Sequence, residues 1–148
     1  PIRPLATCTV WLAIDDANVE NGCLRFIRGS HKEKKLKNHN INDDKNLTLN
    51  QELDESEYNE KDAVNLILKR GQISLHDVYL VHGSEANNSS MARRAITMRF
   101  MPTSSVFDHQ MVKDKNLFSK LNASKYQDRK IYHMRGRDIS GKNNLTYI

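Results

Sequence analysis

The sequence predicts an all-β chain, a sandwich or a barrel, on three observations. Its apolar runs are short and alternate with polar residues in twos. Gly, Asn and Asp punctuate the runs as tight turns. Few segments read as helix, so strand must pack on strand to bury them. The 148 residues suffice for one domain with a real core, and 38% are hydrophobic. The net charge of +5 comes from lysines scattered among acids, with aromatics at only 7%. That is a solvated surface rather than a nucleic-acid groove, which would show a basic stripe with interleaved aromatics. Cys8 and Cys23 lie in apolar strand contexts and make no disulfide framework, so the expected setting is reducing and cytoplasmic. No run is long enough to span a membrane, and no secretory signal is expected ahead of Pro1. The chain opens at Pro1 without an initiator methionine and enters a strand at once, so it reads as a piece of a longer chain.

Residues 6–14 read as a buried strand. Alternation puts Cys8, Val10, Leu12 and Ile14 on one face, an ordinary packing face. Thr7, Thr9, Trp11 and Ala13 share the other, a mixed face suited to lining a barrel that holds a polar ligand. Residues 15–22 form a turn ending in Asn21-Gly22, and 23–27 a second strand closed by Gly29-Ser30. Residues 32–62 are a polar section with isolated Leu36, Ile41, Leu47 and Leu49 and a short helix in its acidic part. A loop of that length is a lid or a disordered segment. Residues 63–68 are a third strand, 72–82 a fourth and 93–101 a fifth, ended by Pro102. From Val106 the pattern is irregular, with a candidate helical turn at 117–121, a short strand at 131–134 and a Gly/Asn/Asp loop at 136–144.

The chemistry concentrates in residues 71–101. His82 closes the fourth strand beside Gly83-Ser84, where a ring nitrogen can reach a metal; the plainer reading is a capped surface or core histidine. Arg93 and Arg94 open the next strand, and a hairpin would bring them back beside His82. A guanidinium inside a barrel needs an anion, and its fork suits a carboxylate; the alternative is a structural salt bridge. Alternation gives Arg93 the small, polar face of Ala95 and Thr97, which matches the lining of Thr9 and Trp11, so Arg93 is expected to point inward. His76 has the parity of His82, but six residues of extended strand would put roughly 20 Å between them at about 3.3 Å per residue. One ion could not bind both, which leaves His76 as a candidate pocket-lining or buried polar residue. His31-Lys32-Glu33 reads as solvated, and no His-x-Asp is present to complete a two-histidine, one-carboxylate iron site.

The run VWLAIDDANVENGCLRFIRGSHK, followed by GQISLHDVYLVHGSEANNSSMARRAITMRFMP, resembles the phytanoyl-CoA dioxygenase family over residues 1 to about 108. The closing RGRDISG is similar to the tail of bacterial members. The resemblance implies a double-stranded β-helix, a jelly-roll barrel incomplete at its N-terminus. It implies an iron(II)- and 2-oxoglutarate-dependent dioxygenase that uses O2 to hydroxylate a C–H bond of a small organic substrate. By residue, His82 matches the distal iron ligand, Arg93 the arginine on the far carboxylate of 2-oxoglutarate, and Ser84 a hydroxyl on that same carboxylate. Trp11 matches a tryptophan lining the co-substrate pocket, and His31 a structural histidine. Arg28 stands where members usually carry proline, a change expected to alter only a turn.

The family's other two ligands, a His-x-Asp, would lie upstream of Pro1. The expectation is one partial domain: barrel to about 108, polar insertion at 32–62, extension at 109–148. The fragment alone would be inactive and would bind iron weakly. Neither a nucleic acid nor a membrane is expected as partner. The alternative is a non-catalytic jelly-roll or cupin-like domain that binds an anion without turnover.

Overall fold

Strand follows strand along the chain, as the period-two alternation dictates. A computed structural model describes residues 1–42, 44, 51–113 and 128–148. The strands are β1 (Ile2–Arg3), β2 (Cys8–Ala13), β3 (Leu24–Ile27), β4 (His39–Ile41), β5 (Gln51–Leu53) and β6 (Ala63–Leu66). They continue as β7 (Ile73–Asp77), β8 (His82–Ser84), β9 (Ala95–Phe100), β10 (Val106–Phe107), β11 (Ile131–His133) and β12 (Leu145–Tyr147). The described residues add one short helix, α1 (His109–Lys113), and 3-10 turns at Ser30–Glu33, Glu55–Glu57 and Glu60–Asp62. The chain is mainly β. Among the described residues no helix is long and apolar enough to cross a membrane.

The chain forms two compact units. One comprises Cys8–Arg99, the other Pro1–Thr7 with Phe100–Ile148. In the first unit one sheet has the order β7-β2-β9 and a second β6-β3-β8. β2 runs antiparallel to β7, with Thr9 opposite His76 and Trp11 opposite Ser74. β3 runs antiparallel to both its neighbours, with Phe26 opposite His82 and Leu24 opposite Ser84. Trp11, Ala13, Ala17, Cys23, Leu24 and Leu68 form the core, with Phe26, Leu66 and Ala95 packed against it. Both sheets contribute, so each buries one face against the other.

Alternation settles which face of β2 is inside. Thr9, Trp11 and Ala13 are buried, while Val10 and Leu12 are only half-buried and Cys8 is exposed. The mixed face is therefore the interior one, and the face expected to do ordinary packing lies outside.

Two expectations need correction. Residues 72–82 are not one strand. Asp77 ends β7 by accepting the Tyr79 amide on Oδ1 at 2.8 Å and the Leu80 amide on its carbonyl at 3.1 Å. Such an aspartate offers the backbone a turn in place of the ladder. The chain reverses there, and β8 joins the other sheet. β8 and β9 are accordingly no hairpin, because β9 lies beside β2.

The polar section holds the antiparallel pair β4–β5 and two 3-10 turns capped by Asp54 and Asn59. The short helix expected in its acidic part is thus 3-10 rather than α. Leu47 and Leu49 lie outside the described residues. In the second unit β1 pairs antiparallel with β10, and β11 runs parallel to β12. The 136–144 loop is tied by Asp138, which accepts from Ser140 and Asn143, and Asn143 in turn donates to the Ser105 carbonyl at 2.9 Å. The candidate helical turn at 117–121 lies outside the described residues.

Candidate functional site

His82 opens β8 directly after the Asp77 turn, and two contacts fix it there. Ser30 Oγ donates to the Ile27 carbonyl at 2.9 Å and accepts the Val81 amide at 2.8 Å, pinning β3 to the residue before His82. The His82 ring then places Nδ1 at 2.7 Å from the Leu80 carbonyl. A carbonyl oxygen only accepts, so Nδ1 carries a proton, and in the neutral ring Nε2 is the nitrogen with the lone pair. The His82 side chain is exposed. An exposed imidazole with a backbone-locked tautomer, and an Nε2 without a partner among the described residues, can ligate a divalent metal.

The turn also brings His76 back to His82. Their ring centroids are 5.0 Å apart and tilted by 54°, against the roughly 20 Å of an unbroken strand at about 3.3 Å per residue. Phe26 completes the cluster, 5.3 Å from His76 and 6.0 Å from His82. The cluster spans both sheets, because His76 belongs to β7 and the other two to β3 and β8. Burial pushes the His76 pKa down to about 4, with the positive fields of His82 and Arg99 adding to the effect. The His76 ring is therefore neutral near pH 7.

The two arginines separate as alternation requires. Arg94 faces out: its guanidinium makes a bidentate pair with Asp15, both bonds at 2.8 Å, and its amide donates to the same carboxylate. That pairing holds the Asp15 carboxyl well below the usual carboxylate range. Arg93 is half-buried, and its Nε is buried with no hydrogen-bond partner among the described residues. Its charge is felt at the Cys23 thiol, which burial pushes up. Cys23 adjoins Leu24, and Leu24 pairs with Ser84. Ser84, itself exposed, thus pairs with the start of β3, where the charge of Arg93 is also felt. Thr9 and Trp11, 5% and 7% exposed, line the same interior.

What the sequence reading missed is the clasp behind Arg93 and Ser84. In the sequence Asn21 signals only a turn, yet it is 1% exposed. Its Oδ1 accepts the Asn18 amide at 2.8 Å, and its Nδ2 donates to the carbonyls of Asp16 at 2.7 Å and Ala92 at 3.4 Å. Ala92 precedes Arg93. Gly22 has φ +73°, and a Cβ there would sit 2.5 Å from the Glu85 carbonyl oxygen. Glu85 follows Ser84 and is paired with Arg25. Asn21-Gly22 therefore holds both ends of the loop from Ser84 to Arg93. The Asn-Gly dipeptide was visible; its distant partners were not.

Among the described residues no group of three or more His, Cys, Asp or Glu side chains is placed to hold a metal ion. His82 fits as a single ligand. The orphaned Arg93 Nε fits an anion, since buried polar groups in native interiors are paired. The arrangement presents a candidate metal ligand and a candidate anion anchor.

The family model for phytanoyl-CoA dioxygenase (PhyH) matches residues 1–95. The phytanoyl-CoA dioxygenase domain-containing protein 1 homolog of Dictyostelium discoideum is 37% identical over 100 residues, 66% of this chain and 36% of that protein. A phytanoyl-CoA dioxygenase of Arabidopsis thaliana is 34% identical over 93 residues, 62% of this chain and 32% of that one. The chain thus spans about a third of the length of the curated relatives it matches. Among solved structures, EvdO2 from Micromonospora carbonacea var. aurantiaca complexed with 2-oxoglutarate is similar with a TM-score of 0.56 and 26% identity, over 64% of this chain and 37% of that one. The non-heme monooxygenase ThoJ shares the fold with a TM-score of 0.58 at 24% identity, over 70% of this chain and 36% of that one.

Proposed function

The chain belongs to the phytanoyl-CoA dioxygenase family, and on that premise we propose that it carries the distal metal ligand and the co-substrate anchor of an iron(II)- and 2-oxoglutarate-dependent dioxygenase. His82 Nε2 is the metal ligand. Arg93 and Ser84 hold the far carboxylate of 2-oxoglutarate, and Trp11 and Thr9 wall the co-substrate. The other two ligands come from protein outside these 148 residues, so this chain alone does not turn over. Bound iron(II) supplies O2 activation coupled to oxidative decarboxylation of 2-oxoglutarate, the chemistry that hydroxylates a C–H bond of a small organic substrate. The chain's own part is positioning and the exclusion of water. The Leu80 carbonyl fixes the His82 tautomer. The buried face of Trp11 and Thr9 keeps solvent from the anchored co-substrate. Free thiols at Cys8 and Cys23 fit a reducing, cytoplasmic setting.

The observation that carries this reading is the contrast within the arginine pair. Arg94 is saturated by Asp15, whereas Arg93 has a buried Nε without a partner among the described residues. Calorimetric titration with 2-oxoglutarate, with and without Mn(II), tests it. Arg93→Ala is expected to weaken binding by about tenfold or more, the scale of a lost charge-assisted hydrogen bond. Arg94→Ala is expected to leave binding unchanged. Equal affinity for wild type and Arg93→Ala would sink the assignment.

A second reading has one observation in its favour, the lack of a three-ligand group among the described residues. It is an anion-binding jelly roll without turnover. Affinity for 2-oxoglutarate that is lost in Arg93→Ala but indifferent to Mn(II) would favour it.

A further inference from the structure

We propose that His76 is a further co-substrate-contacting residue, whose Nε2 donates a hydrogen bond to the carboxylate of the 2-oxo acid at the end nearest His82. This rests on the reading of the site given above. No role follows for His76 from a metal ligand and an anion anchor alone, yet it occupies the centre of the arrangement. It lies opposite Thr9 across the β2–β7 ladder and beside the Trp11–Ser74 pair. Its ring is 5.0 Å from that of His82. It therefore stands between the candidate metal ligand and the candidate co-substrate wall.

The polar atoms of the ring carry the inference. His76 is only 7% exposed. Its Nδ1 lies 3.4 Å from Ser74 Oγ, its one hydrogen-bond partner among the described residues. In the proposed tautomer Ser74 Oγ donates to Nδ1 and the proton sits on Nε2, an N–H with no acceptor among the described residues. A histidine kept only for packing would be replaceable by phenylalanine, which stacks on Phe26 equally well and buries no polar atom. Nε2 is not among the buried polar atoms left without a partner, so on this otherwise buried ring it keeps contact with open space, where an acceptor can reach it. Arg99 has the parity of Ala95, which packs against the core, and its charge reaches His76. An acceptor placed here sits among donors and cations, as a carboxylate requires.

The test uses the 148-residue chain labelled with 15N in histidine. Long-range 1H–15N spectra are recorded on adding Zn(II), then 2-oxoglutarate. Zn(II) is expected to move His82 Nε2 strongly and His76 little. The co-substrate is then expected to move His76 Nε2. In calorimetry His76→Phe is expected to lose about tenfold in 2-oxoglutarate affinity while metal affinity stays within about twofold, and His76→Gln to keep most of it through its amide N–H. Several results overturn the inference: His76 silent at saturating co-substrate, equal losses in the Phe and Gln variants, or Zn(II) moving both histidines alike, which would make His76 a metal ligand. If Zn(II) leaves His82 unmoved, the reading of the site falls, and this inference with it.

Discussion

Replacing Asn21 by alanine removes the clasp behind the anchor, and its cost can be worked out bond by bond. The side chain is 1% exposed and makes bonds of 2.7 Å to the Asp16 carbonyl, 2.8 Å from the Asn18 amide and 3.4 Å to the Ala92 carbonyl. Two are of full strength and the third is long. A made hydrogen bond contributes about 1 kcal/mol net, and a buried group left unpaired costs about 1–3 kcal/mol. The expected loss is therefore about 2–4 kcal/mol, well above an ordinary surface substitution. Urea denaturation reads it as a lower midpoint at unchanged slope. Asn21→Asp keeps the acceptor and loses both donations, so it is expected to lose stability as well. The clasp also holds Ala92 beside Arg93, so affinity for 2-oxoglutarate is expected to fall with stability. A loss below about 0.5 kcal/mol, within the range of ordinary surface substitutions, would refute the bond accounting. A large loss with unchanged affinity would refute the link to Arg93.

Gly22→Ala places a Cβ 2.5 Å from the Glu85 carbonyl at a left-handed φ of +73°. The backbone conformation alone costs about 1–2 kcal/mol, so a loss of at least about 2 kcal/mol is expected in denaturation. The Asp138 carboxyl is lowered to about 2 from 3.8, chiefly by the Ser140 hydroxyl and also by Asn143. A depressed carboxyl stabilises the fold above its unfolded pKa, so this contribution is whole above about pH 4 and vanishes as pH falls through about 2. Carboxyl chemical shifts of Asp138 followed from pH 5 to 1.5 check it, and a midpoint near 3.8 would contradict it. The outer face of the β7-β2-β9 sheet exposes Ile73 at 52%, Leu75 at 63% and Ile96 at 48%. Exposed apolar patches and open strand edges promote association. Light scattering on the eluting 148-residue chain is expected to show a dimer or larger, relieved by Leu75→Lys with Ile96→Lys; a compact wild-type monomer would contradict this.

The strands were legible because alternation is local. Thr9, Trp11 and Ala13 turned inward together, and Arg93 and Arg94 took opposite faces. The partners of those strands were not legible, because nothing in a strand names its neighbour. Residues 72–82 read as one run since apolar residues continue through Val78 and Leu80, and the break depends on two amides bonding to Asp77, one to its side chain and one to its carbonyl. Missing that turn put His76 about 15 Å too far from His82, the difference between the extended-strand distance and the observed 5.0 Å. It also hid the ring cluster with Phe26. Asn21 shows the same limit: its type and the following glycine signalled a turn, while its bond to Ala92 spans 71 residues.

The central claim is that one site holds a metal on His82 and an anionic co-substrate on Arg93 and Ser84. A crystal structure of the protein with Mn(II) and 2-oxoglutarate tests it most directly. The account predicts Mn(II) on His82 Nε2, and one carboxylate within hydrogen-bond distance of the Arg93 guanidinium and Ser84 Oγ. Co-substrate bound away from Arg93, or His82 Nε2 left without metal at saturating Mn(II), would contradict it.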